Sequence, residues 1–183
     1  ELLANALIHQ DFQISGASPV VEIYSNRIEI SNPGIPIVPV DRFIDGYQSR
    51  NERLADLMRR VGICEEKSSG IDRVIQSAEI LQLPAPEFLV SQNRTIVIIH
   101  GLRPFKGMNG SDRVRACYQH CVLQYVIRKQ MTNQSLRIRF GVSEGSSNAI
   151  SQIISNALDK KLIKSDPNAP DSRRYDRYIP IWD

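Results

Sequence analysis

The sequence predicts an α+β protein in two parts: helices packed on one face of a mixed sheet, then three helices closed by a β-ribbon. Three observations carry this expectation. Residues 1–103 run helix, two strands, helices, strand, the order of helices layered on a sheet. Residues 104–110 hold Pro104, Gly107, Asn109 and Gly110, the composition of an exposed linker. Charge then divides at the same place. Residues 1–110 carry 11 Lys+Arg against 13 Asp+Glu, whereas residues 111–183 carry 12 against 7, so the positive excess lies entirely in the second part.

The elements follow in order. Glu1–Gln10 is helical, with Leu2, Leu3, Ala6 and Leu7 on one side. Val20–Tyr24 and Arg27–Ser31 alternate as strands around the turn residues Ser25 and Asn26. Asn32, Pro33 and Gly34 break the chain, and a proline-rich stretch follows through Pro36 and Pro39. Asn51–Val61 is a helix stopped by Gly62, and Ile71–Leu81 is a helix ended before Pro84. The β-branched run Thr95–Ile99 reads as a buried strand. Beyond the linker come helices at Asp112–Gln130, Asn133–Phe140 and Ser146–Lys161, a short strand at Leu162–Lys164, a polar loop at Asp166–Ser172, and a last strand at Tyr175–Ile181.

Three helices followed by a β-ribbon is the order of a winged helix-turn-helix domain, expected over residues 111–183. Its third helix repeats Ala149, Ile150, Ile153, Ile154, Ala157 and Leu158 on one face. The opposite face holds Ser147, Asn148, Ser151, Gln152, Ser155 and Asn156, short polar side chains able to enter a major groove. Basic groups stand at the margins: Arg137 and Arg139 on the second helix, Lys160 and Lys161 at the end of the third, and Arg173, Arg174 and Arg177 in the wing. Contacts from these flanks to phosphate would supply most of the affinity for double-stranded DNA. The alternatives are a solvated polar face and a module that pairs chains as a homodimer.

Other classes fall away. No apolar run reaches the roughly 20 residues of a membrane span, and no signal peptide is legible. Three cysteines cannot form a disulfide framework, which fits a reducing cytoplasm. Cys117 and Cys121 flank His120, but their one-turn spacing lies within the apolar stripe Val114, Cys117, Cys121, Val122, Tyr125, so core packing is expected ahead of metal binding. The chain opens at Glu1 inside a helical pattern and reads as a piece of a longer protein.

Three short stretches of the first part bear chemical reading. Glu1 and Asn5 share a helical face one turn apart; a carboxylate can orient a water, and an amide oxygen can ligate magnesium. The strand Ile30-Ser31 ends at Asn32-Pro33-Gly34, where a backbone without Cβ admits a close approach. Ser68, Ser69 and Gly70 open a helix as an anion site would. Each stretch equally suits a surface helix, an ordinary turn and an ordinary N-cap.

Taken together, ELLANALIHQDF (Glu1–Phe12), VEIYSNRIEISNPGIP (Val21–Pro36), RNERLADLMRRVG (Arg50–Gly62), EKSSGIDRVI (Glu66–Ile75) and the Leu83–Glu87 stretch resemble a family. Residues 1–103 are similar to the divergent histidine-kinase/gyrase-type (GHKL) ATPase module at the C-terminal end of RecG-related ATP-dependent DNA helicase-like proteins and helix-turn-helix regulators. These often carry an AlbA-like or Schlafen-like domain before it.

The resemblance implies an ATPase-like α/β sandwich with Glu1 as general base and Asn5 as magnesium ligand. It further implies Asn5, His9, Asn32, Gly34, Ser69 and Gly70 around Mg-ATP. Asn32-Pro33-Gly34 stands where active members place an adenine-reading aspartate, and Ser68 stands where a glycine is usual. The expected site is therefore vestigial. No phosphate loop of the type G-x-x-x-x-G-K-[ST] occurs, so the chain holds no helicase motor. The functions expected are DNA binding and transcription regulation beside an ATPase-like domain, with an ATP-hydrolysing enzyme of nucleic-acid metabolism as the alternative.

Overall fold

The computed structural model describes residues 1–64, 70–169 and 176–183. Its chain falls into two compact units. The first comprises residues 1–74 and 86–101, and the second comprises residues 75–85 and 102–183. One division, between residues 101 and 102, lies beside the expected boundary at 103; residues 75–85 join the second unit as a separate segment.

In the first unit, helix α1 (Leu2–His9) is followed by strands β1 (Val20–Ile23) and β2 (Arg27–Pro33), then helix α2 (Glu52–Arg60). Helix α3 (Gly70–Ile80) begins here and continues into the second unit from Ile75. Strands β3 (Glu87–Ser91) and β4 (Arg94–His100) complete a four-stranded sheet of order β1-β2-β4-β3. Every pairing is antiparallel, which corrects the expectation of a mixed sheet.

Strand β3 was absent from the sequence expectation. It joins β4 through Gln92 and Asn93, both at positive φ (48° and 58°), the two-residue hairpin turn whose twist matches the strands. Strand β2 also runs two residues beyond its predicted end at Ser31, into the predicted break. By Pro33 the neighbour β1 has ended, since its last partner on β2 is Ser31. The missing proline N–H therefore falls where a single neighbour, β4, remains.

Helix α1 buries two stripes. Leu2 and Ala6 pack with Ile30 of the sheet, joined by Ile71, Val74, Val97 and Ile99. Ala4 and Ile8 pack with Ala55 and Met58 of α2. Leu3, expected on the buried side, is exposed. Asn51 ties the two helices, its Nδ2 donating to Ile8 O (2.7 Å) and Gln10 O (2.8 Å).

The second unit contains helices α4 (Gly110–Val126), α5 (Asn133–Phe140) and α6 (Ser147–Asp159), then strands β5 (Ile163–Ser165) and β6 (Tyr178–Pro180) paired antiparallel. Met131 bridges to Tyr178 beside this ribbon. Helix α4 starts on a capping box in which Asn109 accepts from Asp112 N and Asp112 accepts from Asn109 N. Helix α5 starts on a second box, Thr132 with Ser135, and stops at Gly141 in the left-handed conformation.

Val122, Met131, Leu136, Ile150 and Ile163 are fully buried and form the core. Cys117 and Cys121 lie in it with no exposure, as the apolar stripe predicted. The stretch 104–110, expected as an open linker, holds a 3-10 turn at Phe105–Gly107 and buries Met108. Among the described residues no helix is long and apolar enough to cross a membrane.

Candidate functional site

A cavity of about 130 Å³ opens in the first unit between α1, the start of α3 and the sheet. Glu1, Asn5 and His9 reach it from successive turns of α1, Asn32 from β2, and Gly70 from the first residue of α3. The helix brings Glu1 and Asn5 together through its first bond, Asn5 N to Glu1 O at 2.9 Å. Gly70 closes against both. A Cβ there would stand 2.6 Å from Glu1 Oε2 and 3.6 Å from Asn5 Nδ2, so a larger residue would displace the Glu1 carboxylate. His9 is mostly buried, and burial, then the Arg50 guanidinium, hold its imidazole below the ordinary histidine range.

Sequence reasoning missed Thr95. It pairs with Asn32 across β2 and β4, and both line the cavity. Both are buried. Thr95 Oγ1 donates to Gly34 O at 2.8 Å, and Asn32 Nδ2 donates to Pro33 O at 3.2 Å. The threonine stood in a run of β-branched residues, where nothing but its hydroxyl marks it. Phe43, Tyr47 and Arg59 also line the cavity and were likewise missed.

Residues 16–99 match the family model described as "Putative ATP-dependent DNA helicase recG C-terminal". This part of the chain is similar to a RecG-related ATPase-like domain. No curated protein matches the chain. Among solved structures, the DIP2311 protein from Corynebacterium diphtheriae is similar at 13% identity, over 98% of this chain and 49% of that one, with a TM-score of 0.49. The chain thus spans about half the length of that protein.

Within the ATPase-like domain, Gly34 departs from its expected role. Its φ is +102°, but a Cβ there would meet Asp11 Cβ at 2.7 Å, and the residue does not line the cavity. The glycine admits its own chain. Asp11 N donates to Pro33 O (2.8 Å), Gly34 N donates to Asn93 O (2.8 Å), and Arg50 spans Asp11 and Ile35 O. Ser69 lies outside the described residues. Cofactor pockets commonly measure roughly 300–1,000 Å³, so a cavity of about 130 Å³ admits part of a nucleotide. Its residue chemistry suits magnesium and phosphate through Asn5 and Gly70, and a base edge through Asn32 and Thr95.

The second unit presents α6. Ile150, Ile153, Ile154 and Ala157 are buried, while Asn148, Ser151, Gln152 and Ser155 are exposed, as the pattern predicted. Ala149, expected to be buried, is exposed. Lys160 and Lys161 are exposed just beyond the helix, and Arg177 is half-buried beside β6. Arg173 and Arg174 lie outside the described residues.

Arg139 is a correction. It is 3% exposed, its Nη2 donates to Leu83 O at 2.7 Å, and its guanidinium lies over the Phe140 ring. Burial lowers its pKa, opposed by the nearby Glu79 carboxylate. A group so enclosed cannot reach a phosphate. His120 is likewise structural: Nδ1 donates to Glu79 and Nε2 meets Ser135 Oγ at 3.1 Å. Among the described residues no group of three or more His, Cys, Asp or Glu could hold a metal ion.

Proposed function

We propose that the chain is a DNA-binding fragment in which a winged helix, formed by the second unit, reads duplex DNA beside the ATPase-like domain. The observation that carries this reading is the exposed face of α6. Asn148, Ser151, Gln152 and Ser155 stand free of the core on one side of a 13-residue helix, with no charge among them. Such side chains enter a major groove without bulk and can bond to base edges. Lys160, Lys161 and Arg177 supply cations at the margin, and β5 and β6 supply the ribbon of a wing. A role in transcription regulation within the cytoplasm follows from sequence-selective binding of this kind.

Fluorescence anisotropy with labelled duplex DNA tests it. Asn148→Ala and Gln152→Ala are expected to cost about 1–3 kcal/mol on a preferred site and little on random DNA. Lys160→Ala and Lys161→Ala are expected to weaken binding to all sequences, each lowering the slope of log affinity against log salt by about 0.9. Wild-type protein that binds no duplex at low salt, or that pairs into dimers through the α6 face, overturns the reading.

A second reading, binding of Mg-ATP, is favoured by the convergence of Glu1, Asn5 and Gly70 with Asn32 and Thr95 on one cavity. A nucleotide at 100 times its Kd stabilises the native state by about 2.7 kcal/mol. A rise in Tm with Mg-ATP that Asn5→Ala abolishes supports a working site, and an unchanged Tm supports a vestigial one.

A further inference from the structure

We propose that Asn133 is the positioning residue of the DNA-contacting surface, holding Arg137 and Ser151 as a clasp for one backbone phosphate of duplex DNA. The inference rests on the DNA-binding reading above. Arg137, Ser147 and Ser151 were each expected at the DNA from the sequence pattern alone, and all three bond to this one side chain. Asn133 Nδ2 donates to Ser147 O (3.1 Å) and Ser151 Oγ (3.0 Å). Its Oδ1 accepts from Arg137 Nε (3.1 Å) and from Ser147 Oγ (3.3 Å).

An asparagine side chain offers two N–H donors and two lone pairs. All four are taken here, so Asn133 has no capacity left for DNA and acts through its neighbours. Arg137 is pinned by Nε, which leaves its two Nη groups as a rigid fork, the geometry that suits a phosphate. Ser151 is exposed and accepts through its oxygen, so its own O–H is left to donate. Three donors on two helices are therefore anchored to the one Asn133 side chain. The anion they would take meets no carboxylate on these elements: α5 has no acidic residue, and α6 has none before Asp159. Fixing a long arginine before binding removes part of the ordering cost that a free surface arginine would bear.

Anisotropy on a random-sequence duplex across a salt series tests this with four proteins beside the wild type: Arg137→Ala, Asn133→Ala, the double variant, and Asn133→Asp. Arg137→Ala is expected to weaken binding about tenfold, the size of one charge-assisted contact, and to lower the salt slope by about 0.9. Asn133→Ala is expected to lose affinity in the same direction. The double variant is expected to fall well short of the product of the two losses, because one residue works through the other. Asn133→Asp keeps the acceptor for Arg137 Nε and Ser147 Oγ but gives up the donations to Ser147 O and Ser151 Oγ; its carboxylate neutralises the arginine, so it is expected to match Arg137→Ala in both affinity and salt slope.

Unchanged affinity for both Asn133 variants, or losses that simply multiply, overturns the inference while leaving DNA binding intact. A wild-type protein that binds no duplex, with Lys160→Ala and Lys161→Ala equally silent, overturns both.

Discussion

Glu79 of α3 and His120 of α4 meet inside the second unit, with both carboxylate oxygens 3.0–3.1 Å from Nδ1. The pair is nearly closed to solvent, with side chains 14% and 6% exposed. Through Nε2 the same imidazole touches Ser135, the residue that closes the capping box of α5. Removing one member of a buried pair strands the other. His120→Ala is expected to destabilise the chain by about 3 kcal/mol in denaturant unfolding, and Glu79→Gln by less, since an amide still accepts from Nδ1.

The three thiols are expected to react in two classes. Burial pushes Cys117 up to about 12 and raises Cys121 as well, the neighbouring Cys117 adding to the second shift. Both remain protonated at pH 8, and only the thiolate attacks. Cys64 is partly accessible. A disulfide reagent at pH 8 should titrate Cys64 in the native protein and the other two only after denaturant is added.

Asp72, in the first turn of α3, is held up to about 6 from 3.8 by burial and then by the nearby Asp45 carboxylate. The fold thus prefers the protonated acid. Its contribution to stability is complete below about pH 3.8 and is lost as pH rises through about 6. Asp72→Asn should therefore raise Tm at pH 7.5 and leave it nearly unchanged at pH 4. A gain that is equal at both values would place the effect elsewhere than in this titration.

Gly34→Ala is expected to destabilise the ATPase-like domain by about 2 kcal/mol or more. It combines a positive-φ penalty with a Cβ driven into Asp11. Thermal unfolding without any nucleotide checks it. A loss of that size shows that the glycine serves the crossing of chain segments at Asp11 and Arg50.

How much of this was legible in sequence varies by element, for physical reasons. Helix α5 was placed to the residue because Thr132 and Gly141 are strong terminal signals. Strand β3 escaped because its hairpin turn, Gln92-Asn93, lacks the glycine that usually marks positive φ. The burial of Arg139 was legible in part: it falls at i+3 from Leu136 and beside Phe140, both buried, so helical geometry already set it on the inner face.

For the candidate site, Glu1, Asn5, Asn32 and Gly70 were found because each sits in a short local motif, and the structure gathers them. Thr95 and Asn133 were not. Their roles depend on a cross-strand partner and on a second helix, relationships that no spacing along the chain encodes.

The second unit is discontinuous, taking residues 75–85 from before the last two strands of the sheet. A contiguous segment 111–183 would carry His120, Arg139 and Arg115 away from Glu79, Leu83 O and Ala85 O, their hydrogen-bond partners. Such a module could not be transplanted as a cassette between genes without leaving buried charges stranded. The two units are interleaved in the primary structure, so inheritance, proteolysis and engineering must treat them as one piece of chain.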